Sequence, residues 1–270
     1  MKKHLPLLLL SVLALVVLLP FLWTVTTSLK PLPEVNRYPP VWISPSMGLQ
    51  PYADMFFYLP FSRYTVSSLI IATCSTVLTL GAGSLAAYAF ARLRFRGKRA
   101  FLLLFLLTQM LPGASVIVPL FQLLVAAGLY DTHAGLILVH TALLLPFTIW
   151  LLHGFFTAIP VEVEDAALID GCSRLQALRR IILPLALPGI GATALFAFLG
   201  SWNEFFFALM LTTSDTARTI PVGIGLFVGE FQDVWNQMAA AAVLFSVPPM
   251  LLFTVMRRTF VRGLAAGALQ

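Results

Sequence analysis

A chain of 270 residues that is 59% hydrophobic and only 10% charged, with a mean hydropathy of +0.92, lies far from a soluble domain, where about a quarter of residues carry charge. Composition places it in a bilayer. The formal charge of +6 does not make it a nucleic-acid binder, because the basic residues cluster at the ends of apolar runs instead of forming a stripe.

In chain order, the first apolar run is read as a retained span at 5–27. At ~1.5 Å per residue it can cross a ~30 Å hydrocarbon core, and it is too long for the roughly 7–15 apolar residues of a signal peptide. The stretch 28–64 carries Pro31, Pro33, Pro39, Pro40 and Pro45, which predicts an extramembrane loop without regular structure, and its Tyr38, Trp42 and Tyr52 suit a membrane interface. A second span at 65–91 holds Ala72, Gly81, Gly83, Ala86 and Ala87, small residues that let helices approach closely in lipid. Arg92, Arg94, Arg96, Lys98 and Arg99 close it.

The third span, 100–127, is interrupted by Pro112-Gly113 and Pro119, which reads either as a kink or as the wall of a pathway. A short loop with Asp131 and His133 leads to the fourth span, 134–157, kinked at Pro146. The polar segment 158–186 follows, then spans at 187–211 and 237–257. The expectation is an all-α polytopic membrane protein, a single transmembrane domain over 1–270 with six helices. Placing both termini in the cytoplasm puts thirteen of the seventeen Lys and Arg residues inside and leaves only Lys30, Arg37, Arg63 and Arg218 outside. That bias makes 158–186 a cytoplasmic loop.

Several chemistries are excluded or weak. A phosphate-cradling loop needs G-x-x-x-x-G-K-[ST], yet Gly97-Lys98 is followed by Arg99 and the first glycine position is Arg92. The chain has no nucleotide site of that kind. His140 and His153 are thirteen residues apart on one helix, ~20 Å, and cannot share a metal. The cysteines, Cys74 and Cys172, have no disulfide framework spacing. In the fifth span, Trp202, Asn203 and Glu204 can either face a solute or form a cap or interhelical bond, since an acid in a membrane helix usually faces a cavity or a partner. Gln109, beside the Pro112-Gly113 break, is a further candidate for the pathway, and Gln122 a weaker one.

The polar segment carries the most information. Glu162, Glu164 and Asp165 follow Pro160, where acids favour a helix N-terminus. Ala166 and Ala167 give that helix a smooth face for a partner's groove, and Asp170-Gly171 supplies a stop through the left-handed conformation. Ser173 caps a second helix with Leu175, Leu178 and Ile182 on one side, and Pro184 ends it. An amphipathic hairpin lying on headgroups is the competing reading, disfavoured by four acids facing an anionic leaflet.

This segment resembles the EAA motif of membrane subunits of bacterial ABC importers: Asp165-Ala166-Ala167, then Gly171, then Ile181, Leu183 and Pro184 at the motif's spacings, with aspartate where the motif has glutamate. Further resemblance to the shorter permease of maltose-type carbohydrate importers lies in FARLRFRGKR, QMLPG, WNEFFFAL, RTIPVG and FVRGLAAGAL. The resemblance implies a type I importer fold in the bacterial inner membrane and a coupling role for 162–171. It also implies a second homologous permease, two cytoplasmic ATPase subunits that bind ATP and magnesium, an extracytoplasmic solute-binding protein and a carbohydrate substrate. The rival is a secondary transporter driven by an ion gradient, which needs several intramembrane acids where this chain offers Glu204.

Overall fold

The structure is a computed structural model and describes residues 4–58, 60–227 and 234–267. Lys2, Lys3 and residues 59 and 228–233 lie outside the described residues, as do the side chains of Arg257, Arg258 and Arg262. Among the described residues there is no strand.

Helix α1, His4–Ser28, is apolar all round and exposed over residues 7–20, as suits a helix whose surroundings are hydrocarbon, while Thr27 and Ser28 at its end are buried. The proline-dense stretch after it is more regular than expected. It holds α2, Leu32–Val35, and α3, Gln50–Tyr58, because Pro31, Pro33 and Pro51 all fall at helix starts, where a missing N–H costs nothing. Helix α4, Phe61–Arg92, begins before the expected 65 and is continuous for 32 residues.

The third span is two helices, α5, Lys98–Thr108, and α6, Gly113–Ala126, which meet at 95°. The break falls at Pro112-Gly113, whereas Pro119 lies inside α6 without interrupting it. Helix α7, His133–Ala158, likewise runs through Pro146 unbroken. The polar segment forms α8, Val161–Ile169, then α9, Arg174–Ala177, a π-helical turn at Leu178–Ile182 and α10, Leu183–Leu185. Helix α11, Leu187–Trp202, leaves this piece at 82° and stops nine residues short of the expected 211. A break at 203–205 separates it from α12, Phe206–Leu211. Then come α13, Ile220–Leu226, and α14, Trp235–Gly267, of which Trp235–Met256 is the apolar part. Among the described residues four helices are long and apolar enough to cross a membrane, or up to six spans if each bent pair counts as one.

Contacts divide the chain into two compact units. One comprises Met1–Tyr64 and Ile220–Met250. Within it Lys30 is buried with its ammonium 4.2 Å from the centroid of Trp23, whose ring meets Trp42 edge-on, and the Asn236 amide donates to the Lys30 carbonyl. The other unit, Thr65–Thr219 and Leu251–Gln270, holds the polar segment. Its helices close on small residues: a Cβ on Gly189 of α11 would lie 2.3 Å from the Phe155 ring of α7, and one on Gly200 would lie 2.6 Å from Leu144. Packing at this distance is what associates helices in lipid. At the end of α7 remote from the polar segment, Asp131 adopts φ 56° and accepts hydrogen bonds from the amides of Thr213 and Ser214. Burial pushes the Asp131 carboxyl up, and the backbone and side-chain hydrogen bonds of Thr213 and Ser214 together more than reverse it, holding the group below the usual value.

Replacing Gly189 by leucine is expected to overpack the α7–α11 contact at a cost of about 1–3 kcal/mol. Gly154→Ala, on α7 with open space around its Cα, is the neutral control. The recovery of monodisperse protein after detergent extraction measures both.

Candidate coupling site

Helix α8 starts after Pro160, whose fixed φ of −54° prepares the turn, and carries Glu162 and Glu164 in that turn beside the exposed N–H groups. It ends in a complete Schellman motif. Gly171 sits at φ +87°, its N–H donates to the Leu168 carbonyl at 3.1 Å, and the Cys172 N–H reaches back to Ala167 at 3.0 Å. A Cβ on Gly171 would meet nothing within 4 Å, so glycine is needed here for its conformation and not for space. Two residues later Ser173 and Gln176 form a capping box that opens α9: the Ser173 hydroxyl accepts from the Gln176 amide while the Gln176 side chain accepts from the Ser173 amide at 2.8 Å.

Beyond Ala177 the turns widen. The Leu183 N–H donates to Leu178, five residues back. Pro184 has no N–H to give and its ring would press on the carbonyl four residues earlier, so one wide turn carries the chain past it. Leu178, Ile182 and Ala186 then pack on Ala87 and Tyr88 of α4 and on Leu152 and Phe156 of α7. Leu175, expected on the same buried side, is exposed, because the inward face starts at Ala177.

The three neighbouring acids of α8 part company. Glu164 is 2% exposed and turned inward. Its Oε2 meets Arg92 Nε at 2.7 Å, its Oε1 accepts the Tyr88 hydroxyl, and the Arg92 guanidinium also donates to the Ile159 carbonyl at 2.8 Å. A carboxylate out of water must be neutralised and hydrogen-bonded, and here both conditions are met by the last turn of α4. One side chain thereby ties the end of α4, the end of α7 and the start of α8. Ala167 is buried on the same side, so it adds nothing to an outward face. What faces away from the chain is Glu162, Asp165, Ala166, Ile169 and Asp170, with Ile169 85% exposed. Of the remaining motif residues, Ile181 and Leu183 are half-buried and Pro184 is exposed.

Arg92 and Tyr88 are the residues that sequence reasoning missed, since Arg92 was read only as a topological charge. The available signal was their spacing: positions four apart near the end of a helix share a face.

The pathway candidates do not converge. Trp202 is 1% exposed and stacks on Phe198 at 5.6 Å, and the Asn203 amide donates to the Leu199 carbonyl at 2.8 Å. Glu204 accepts the amides of Phe207 and Ala208, at 2.8 and 2.9 Å, and so caps α12 across the break after α11. Its Oε2 also lies 3.3 Å from His140 Nε2, while His140 Nδ1 is 2.7 Å from the Ser201 hydroxyl. Gln109, whose amide donates to Leu143, borders a cavity of about 440 Å³, lined also by Thr108 and by apolar residues such as Leu120, Val139 and Phe207.

The site thus consists of apolar helices that carry one exposed polar helix at their end. The family described as binding-protein-dependent transport system inner membrane component matches residues 79–266, and the chain belongs to it. It is 34% identical over 251 residues to a diacetylchitobiose uptake system permease of Streptomyces coelicolor, covering 93% of this chain and 91% of that one. It is 37% identical to a sulfoquinovosyl glycerol transport system permease of Agrobacterium fabrum, with 94% and 89% covered. With a trehalose transport system permease of Mycobacterium tuberculosis the identity is 38%, and 94% and 92% are covered. A chain of a bacterial ABC transporter that imports the acidic polysaccharide alginate shares the fold at TM-score 0.82 and 21% identity, with 96% of each chain covered. Membership decides against the ion-driven rival, and the single acid available to that rival is occupied as the cap of α12.

Arg92→Met leaves Glu164 buried without its counter-charge, at an expected cost of about 3–5 kcal/mol. Arg92→Met combined with Glu164→Leu removes both charges and is expected to recover most of that loss. Proteolytic nicking within 158–173 of the purified protein, against temperature, separates the two variants.

Proposed function

We propose that this chain is one permease half of an ATP-driven carbohydrate importer and that α8 is its coupling helix, seated in a groove of a cytoplasmic ATPase subunit. The observation that carries the reading is the two-sidedness of α8. Its inner side is fixed to α4 by the Arg92–Glu164 pair, and its outer side, with the capping Asp170, presents three carboxylates, an alanine and an isoleucine to a partner. A lever needs both attachments.

On this reading the whole of 1–270 works as one transmembrane domain with both termini and the 158–186 loop in the cytoplasm, as the charge bias requires. ATP and magnesium belong to the two ATPase subunits. A second, homologous permease completes the pathway, and the 30–60 and 212–236 loops meet the extracytoplasmic binding protein. The substrate class is a glycoside or small oligosaccharide, supported by relatives whose systems take up diacetylchitobiose, sulfoquinovosyl glycerol and trehalose. Asp165, Ala166, Gly171, Ile181, Leu183 and Pro184 form the coupling element. Glu162 and Asp170 extend its outer acid face, and Glu164 with Ala167 hold it in place. Gln109 remains the pathway residue beside a cavity, while Trp202, Asn203 and Glu204 shape the pathway through the α11–α12 break.

Gly171→Pro removes the N–H given to Leu168 and imposes φ near −65° where +87° is required, so it is expected to abolish binding-protein-stimulated ATPase in proteoliposomes while membrane insertion persists. Gly171→Ala meets no steric obstacle and carries only the strain of the left-handed region, about 1–2 kcal/mol, so coupling is reduced and not lost. Wild-type stimulation in Gly171→Pro contradicts the assignment.

A further inference from the structure

A second feature lies at the same end of α4 and α7 as the coupling site. A cavity of about 630 Å³ is lined by Ala91, Phe95, Leu102 and Thr157 together with Lys98, Arg99 and His153. Arg92, the first basic residue of this region, is held by Glu164, but the next four cations are not: among the described residues Arg94, Arg96, Lys98 and Arg99 have no acidic partner. No acid lines the cavity either. Its position follows from the spans, because α4 ends at Arg92, α7 at Ala158, and α5 begins at Lys98. A cavity bounded by the ends of three apolar helices sits at the boundary between hydrocarbon and water. On α5 itself Leu103, Leu104 and Leu107 continue away from it, each more than half exposed.

We propose that this cavity binds the phosphate headgroup of an anionic phospholipid, with Lys98 and Arg99 on the phosphate and the acyl chains running down the exposed leucines of α5. Three conditions select this occupant. The lining carries Lys98 and Arg99 and no acid, which favours an anion. The walls are Phe95, Ala91 and Leu102, which require an apolar body next to that anion. The mouth opens where membrane headgroups lie, and basic pockets between transmembrane helices on the cytoplasmic side bind such headgroups. A free inorganic anion satisfies only the first condition. The inference uses the orientation proposed above, in which this end faces the leaflet attracted by positive charge.

The test uses the assembled transporter in nanodiscs of equimolar phosphatidylglycerol and phosphatidylcholine, followed by extraction and native mass spectrometry of the lipids retained. The wild type is expected to retain phosphatidylglycerol preferentially. Lys98→Gln with Arg99→Gln is expected to lower that preference by about fivefold per charge, roughly 25-fold for the pair, whereas Lys98→Arg with Arg99→Lys keeps it. Arg94→Gln with Arg96→Gln, which removes two cations that do not line the cavity, is expected to change it much less. An equal loss in that control means diffuse surface attraction and overturns the site. Displacement of the lipid by 10 mM-scale inorganic phosphate at unchanged pH means a free-anion site and overturns it as well, as does loss of the ATPase subunits from the Lys98→Gln, Arg99→Gln complex with lipid preference intact. Failure of coupling in Gly171→Pro bears on α8 alone and leaves these outcomes readable.

Discussion

A buried carboxylate facing a buried guanidinium sets the geometry at the shared end of α4, α7 and α8. Removing Glu164 and Arg92 from water is costly, and a pair of this kind contributes little net stability over an apolar pair of the same size. What it contributes is direction. Hydrophobic contact would let a nine-residue helix roll about its axis, because α8 has no strongly apolar side to hold it. The ion pair, the Tyr88 hydroxyl and the Ile159 carbonyl together admit one orientation. Once Glu164 is inward, the 100° step between helix residues leaves Asp165 and Glu162 outward. Everything a partner can touch follows from that.

The same end is stiffened by independent devices. The Schellman turn at Gly171 and the capping box at Ser173 and Gln176 fix the angle between α8 and α9, and the π turn before Pro184 sets the phase in which Leu178 and Ile182 meet α4 and α7. Displacement of α8 therefore carries the packed ends of α4 and α7 with it, and through the 82° bend at Ala186 it reaches α11. In the proposed transporter this is how closure of an ATPase pair becomes movement of the pathway walls.

Much of this was legible in the sequence, and the limits have physical causes. Apolar runs and Gly/Pro punctuation gave the spans, and the glycine stop and serine cap were readable because their chemistry is local. The orientation of α8 was not, because three acids in four positions look alike until a partner 72 residues away selects one. Proline breaks helices less often than its density suggests. It breaks the chain at Pro112-Gly113, yet in α2, α3 and α7 it sits in a first turn or is accommodated within the helix. Glu204 illustrates the other limit. An acid in an apolar stretch signals importance, and here the importance is structural, since its carboxylate completes a helix start that a break in the span leaves open.

The central claim is that α8 has a fixed outward face for the ATPase and a fixed inward face for its own chain. Its direct measurement is site-specific cross-linking in the assembled transporter, with Cys74 and Cys172 first replaced by serine and single cysteines then introduced as Asp165→Cys, Ile169→Cys or Ala167→Cys. The account predicts efficient cross-links from the first two to the ATPase subunit and none from the third. Cross-linking of Ala167→Cys as efficient as that of Ile169→Cys would contradict it.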